Sequence, residues 1–114
     1  YTVRAKEEAE AQKLKDDAKL LEKMGCFAVV LEKVPAKLAE EIAKEITIPV
    51  IGIGAGGGVD GQVLVMHDML GMTHEFNPRF LRRYLDLYQE MGNAFSQYIT
   101  DVKSGDFPND EEQY

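Results

Sequence analysis

The chain has 114 residues, 29% charged and 45% hydrophobic, the balance of one ordinary soluble globular domain. Its net charge of −7 argues against nucleic acid and anionic membranes, since an acidic surface is repelled by both. No apolar run approaches the length of about 20 residues that a membrane helix needs, and the single cysteine, Cys26, allows no internal disulfide, so a reducing, cytoplasmic compartment is the simplest home.

The sequence opens YTVRAKEEAE, with no initiator Met, no basic segment and no apolar core, so it does not read as a signal peptide. A processed start and the broken end of a longer protein both fit it. Residues 6–24 read as a helix, with Leu14, Ala18, Leu21 and Met24 forming an apolar stripe and Gly25 ending it. Phe27–Leu31 follows as a short strand rich in β-branched residues, expected to be covered on both faces. Pro35 suits a first helical turn, and Leu38, Ile42 and Ile46 mark the inner stripe of that second helix. The run IPVIGIG (48–54) reads as a second buried strand.

Between Ile53 and Val63 the chain is too short and too rich in glycine for a crossover helix. VLVMH (63–67) is expected to be a third strand, and Asn77-Pro78 a helix start. From there Phe80, Tyr84, Tyr88, Met91, Phe95, Tyr98 and Val102 predict one long amphipathic helix, with a possible bend at Gly92 and an end at Ser104-Gly105. The acidic tail DFPNDEEQY reads as loose. The order αβαβ(β)α predicts an α/β fold with parallel strands under helices. Such a sheet, with only two or three strands, looks incomplete because its edges are bare.

Glu32 is the sharpest candidate for chemistry. It stands at the C-terminal end of a parallel strand, where such sheets and barrels keep their active sites. Beside Leu31 and Val34 it is expected to be partly desolvated, which suits a general base. An equal alternative is an acceptor for amides at the start of the following helix. Gly52, Gly54 and Gly57 match the dinucleotide spacing G-x-G-x-x-G, but no long helix opens after them to receive a pyrophosphate. A tight turn close to a ligand or another backbone explains these glycines better. His67 and Asp68 are neighbours that point to opposite faces in a strand, His74 reads as surface, and Cys26 as a packed thiol. No metal-ligand spacing is visible.

VLEKVP (30–35), IPVIGIGAG (48–56), DGQVLVMHDMLG (60–71) and the closing NPRFLRRY…VKSGDFP pattern resemble the ketopantoate hydroxymethyltransferase family, over nearly the whole chain. The resemblance implies a (β/α)8 barrel of the phosphoenolpyruvate/pyruvate type. A barrel of that kind needs about 250 residues, so residues 1–114 are expected to be its C-terminal part, from about strand six onward, with Tyr1 inside a glycine-glycine-tyrosine loop.

The implied reaction moves a one-carbon unit from 5,10-methylenetetrahydrofolate to 3-methyl-2-oxobutanoate, with magnesium holding the keto acid and a base taking its C3 proton. Only Glu32 carries over as a catalytic residue. The family's metal ligands, and a lysine and a histidine that meet substrate, fall on earlier strands outside this chain. Gly52, Gly54 and Gly56 match a motif expected to shape the pocket floor. Lys33 departs from the cysteine that many members carry after the glutamate, and strand alternation sends its side chain away from the pocket. Expected partners are the keto acid, the folate, the missing barrel strands and further copies of the protein. A nucleotide-binding module using GIGAGGG and a non-catalytic oligomerisation subunit stand as alternatives from other classes.

Overall fold

The computed structural model describes residues 2–114; the expectation placed on Tyr1 lies outside them. Helix α1 (Glu8–Lys23) ends where the sequence predicts. Gly25 sits at φ 95°, and two amides close the end: Gly25 N–H donates to the Glu22 carbonyl and Cys26 N–H to the Leu21 carbonyl, both at 3.1 Å. This double bond pattern consumes the last carbonyls of the helix and needs a left-handed residue at its centre, which glycine supplies without strain. The predicted stripe holds only at its first half. Ala18 is buried and Leu14 half-buried, whereas Leu21 and Met24 are 45% and 74% exposed because no described element covers that end.

Strand β1 is Val29–Glu32, and β2 is Val50–Ile53. They pair in parallel with Val29 opposite Val50 and Glu32 opposite Ile53. Phe27 is outside the strand and 90% exposed. The ladder opens with Val29 N–H on the Pro49 carbonyl, and Pro49 itself has no N–H to extend the pairing backward. Between the strands runs α2 (Ala36–Glu45), which follows Pro35 as expected. Its stripe of Leu38, Ile42 and Ile46 is buried, and with Val29, Leu31 and Val50 it forms the core. Lys15 Nζ, 2.9 Å from Glu41 Oε2, ties α1 to α2 at the surface.

The third strand differs from its expected position. β3 is Gly61–Gln62, parallel to β2, with Val63 N–H still donating to the Gly52 carbonyl. Asp60 sets this register: its N–H donates to the Val50 carbonyl at 2.9 Å, and its Oδ2 accepts from Val50 N–H at 2.8 Å. The ladder therefore starts before the apolar run, and Met66–Met69 leaves it altogether as the single-turn helix α3.

The described chain divides into two compact units. One comprises the described residues up to Leu64 and Pro78–Leu81, the other Val65–Asn77 and Arg82–Tyr114. The sheet, α1 and α2 belong to the first, α3 and α4 (Leu87–Ser104) to the second.

No helix starts at Asn77-Pro78. Asn77 Oδ1 accepts from Arg83 Nη1 instead of capping, and Asp86 caps α4 by accepting from Gln89 N–H at 3.2 Å. The amides of Tyr84, Leu87 and Tyr88 are taken by the carbonyls of Met69, Leu70 and Gly71. Gly92 lies inside a continuous α4, and Gly105 closes it at φ 80°. The acidic tail, expected to be loose, makes a turn in which Asn109 Oδ1 accepts from Glu111 N–H and Glu112 from Asn109 N–H, with Phe107 edge-on to Tyr98.

Candidate active site at the C-terminal end of the sheet

Both faces of β1 were expected to be covered, and one is. Val29 and Leu31 face the helices, while Val30 is 63% exposed and Glu32 is exposed beside it. The partners of these two, Ile51 and Ile53, are half-buried, so the open face presents apolar side chains with one carboxylate at its C-terminal rim. The expected burial beside Leu31 and Val34 is not met in the described residues. Those two neighbours go into the core and Glu32 does not.

The backbone turns sharply after Glu32. Lys33 adopts φ 52°, its N–H donates to the Ile53 carbonyl at 2.8 Å, and its carbonyl accepts from Arg4 N–H at 2.9 Å. Next to β1 a cavity of about 310 Å³ is lined by Arg4, Glu10, Lys13, Asp17, Val30 and Glu32, among others. Its charges are largely matched in pairs. Arg4 lies 2.6 Å from Glu10 and Lys13 2.8 Å from Asp17, and the hydrogen bond from Arg4 holds the Glu10 carboxyl below its ordinary range.

The glycine loop at the end of β2 packs against protein. A Cβ on Gly54 would lie 2.8 Å from the Phe80 ring, and one on Gly56 would lie 2.4 Å from Ala36 Cβ at the start of α2. A Cβ on Gly52 would reach Val59 at 3.0 Å. Gln62 Nε2 donates to the Gly56 carbonyl and holds the loop in place. No helix opens at this loop, which removes the structural basis of the dinucleotide pattern.

The remaining sequence candidates belong to other elements or to loops. His67 falls in α3, not in a strand, and Asp68 is buried with its Oδ1 accepting from Thr73 Oγ1 at 2.5 Å. His74 is exposed and stacks on Tyr88 with ring centroids 4.5 Å apart. Cys26 is free and half-buried. Among the described residues no three His, Cys, Asp or Glu side chains converge into a group able to hold a metal ion. Sequence reasoning missed Phe80 on Gly54 and the left-handed turn at Lys33. The first joins residues far apart in sequence, and lysine carries no signal for the second.

The fold is thus of the α/β class, with parallel strands and a carboxylate at the C-terminal end of one of them. The family model for ketopantoate hydroxymethyltransferase matches residues 1–110, and the chain belongs to that family. It is 79% identical over its whole length to a 3-methyl-2-oxobutanoate hydroxymethyltransferase of Christiangramia forsetii. The corresponding proteins of Flavobacterium johnsoniae and Phocaeicola vulgatus are 71% and 70% identical. In each case the chain spans 42% of the relative's length. No helix of the described residues is long and apolar enough to cross a membrane.

Proposed function

We propose that residues 1–114 are the C-terminal part of a (β/α)8 barrel and that the complete protein transfers a hydroxymethyl group to 3-methyl-2-oxobutanoate, forming 2-dehydropantoate for pantothenate synthesis. The donor in this reading is 5,10-methylenetetrahydrofolate. The open face of the sheet becomes the barrel interior, and the C-terminal rim becomes the floor and wall of the active site. Glu32 acts as the general base that removes the C3 proton of the keto acid. Water releases the donor's methylene carbon from its two nitrogens as formaldehyde, and tetrahydrofolate leaves. The C3 enolate adds to that carbon, and the resulting alkoxide takes back the proton held by Glu32 to become the new hydroxyl. Gly52, Gly54 and Gly56 shape the pocket floor, and any magnesium ligands lie beyond these residues. The complete protein is a cytoplasmic homo-oligomer in this reading.

One observation carries the proposal: in a chain of this family, Glu32 ends a parallel strand on the face left open by the helices. In the full-length protein, Glu32→Gln is expected to slow deuterium exchange at C3 of 3-methyl-2-oxobutanoate by roughly 100-fold or more, the scale of general-base catalysis. Binding of the keto acid, measured by calorimetry, should change little. Exchange at the unmodified rate removes Glu32 from the base role.

A further inference from the structure

We propose that Lys33 is a positioning residue whose left-handed backbone, not its ammonium group, aims Glu32 at the open face; the role rests on reading Glu32 as the base. Strand alternation puts residues 30, 32 and 34 on one side. The structure breaks that rule within one residue. Val30 and Glu32 are exposed, yet Val34 is 5% exposed and sits in the core with Leu38 and Ile42. The change of face happens at Lys33, at φ 52°, a conformation unusual for a residue with a side chain.

Two hydrogen bonds impose it. The peptide group before Lys33 is held by its N–H on the Ile53 carbonyl, and the one after by Arg4 N–H on its own carbonyl. With both flanking peptide planes fixed, the dihedrals of Lys33 have little freedom, and the surroundings sustain the strain. A residue that resists the left-handed region forces a choice. Either Val34 leaves the core, or the peptide plane after Glu32 rotates and carries the carboxylate off the open face. Burial of Val34 favours the second outcome.

The test uses the full-length protein and four variants read by C3 deuterium exchange, keto-acid affinity and thermal unfolding. Glycine and asparagine enter the left-handed region readily, alanine less so and valine least. Lys33→Gly and Lys33→Asn are expected to keep exchange within about threefold, although both remove the ammonium. Lys33→Ala should lose several-fold, and Lys33→Val roughly tenfold or more, with affinity changed by less than about threefold. A merely structural role moves the unfolding temperature without ranking exchange in this order.

Lys33→Val exchanging at the unmodified rate overturns the proposal, as does Lys33→Gly falling as far as Lys33→Val. If Lys33→Val does not fold, the comparison of Lys33→Ala with Lys33→Asn decides, and equal rates overturn it. Glu32→Gln in the same assay separates the two ideas. Lost exchange there with a flat Lys33 series sinks the positioning role alone, whereas retained exchange sinks the base reading and the positioning role with it.

Discussion

Glu22 shows how much one side chain can organise. It sits in the last turn of α1, and its Oε1 accepts from Thr47 Oγ1, from Thr47 N–H at 2.6 Å and from Ile48 N–H at 3.2 Å. These bonds, the Thr47 hydroxyl first, hold its carboxyl below its ordinary value of 4.5. A depressed carboxylate stabilises the fold fully above its unfolded value, and that contribution disappears as pH falls through the folded one. Below pH 4.5, therefore, the joint between α1 and the entry to β2 should loosen as Glu22 protonates. In Glu22→Gln, thermal unfolding is expected at lower temperature at pH 7, with a shallower fall on acidification. Parallel melts of the two proteins between neutral and acid pH check this. The spacing of 25 residues between Glu22 and Thr47 explains why no local pattern in the sequence announced it.

At the level of elements, α2 and the glycine loop obey different rules. Helix α2 was readable because its inner stripe is local and periodic, and Ile42, 1% exposed, lies at its centre. Ile42→Ala is expected to cost about 2–5 kcal/mol, the range for emptying a packed core site, seen as a lower denaturation midpoint. The loop was legible only as a turn. Gly54 has φ 63°, and Phe80 occupies the space a side chain would need. Gly54→Ala should therefore destabilise by about 1–3 kcal/mol through backbone strain and overpacking together. Adding Phe80→Ala separates them. Removing the ring relieves the steric share and leaves the dihedral share, so the double variant should show coupling of about 0.5 kcal/mol or more. Strictly additive losses in urea titrations would mean that the ring and the glycine do not press on each other. The misplaced third strand and the delayed start of α4 have the same origin. Asp60 and Asp86 act through hydrogen bonds that outrank the apolar runs beside them.

For the molecule as a whole, the outstanding feature is a sheet finished on one side only. The three strands run in the order β1-β2-β3, with helices against one face and Val30, Ile51 and Ile53 on the other. Helix α4 likewise has no buried residue, and Phe95, Tyr98 and Ile99 are at least half exposed along it. Apolar surface of this extent normally faces more protein. With relatives more than twice as long, the expectation is that residues 1–114 alone give no C3 exchange with 3-methyl-2-oxobutanoate, while the full-length protein does. Exchange by the purified chain alone contradicts the barrel reading. Adding a polypeptide with the remaining strands should restore activity if the two parts reassemble.

The sequence by itself determined the alternation of helices and parallel strands, the core stripe of α2, the glycine stop of α1 and the place of Glu32 at a strand end. All of these rest on period, punctuation and local backbone preference, which act within a few residues. Tertiary structure alone decided which face Glu32 takes, where β3 begins, what fills the space over Gly54 and how Lys33 comes to turn left-handed. Each of those depends on a hydrogen bond or a packed ring from a distant part of the chain. At Glu32 both levels meet: local pattern brings the carboxylate to the rim, and bonds from Ile53 and Arg4 to the next residue fix the turn that leaves it there.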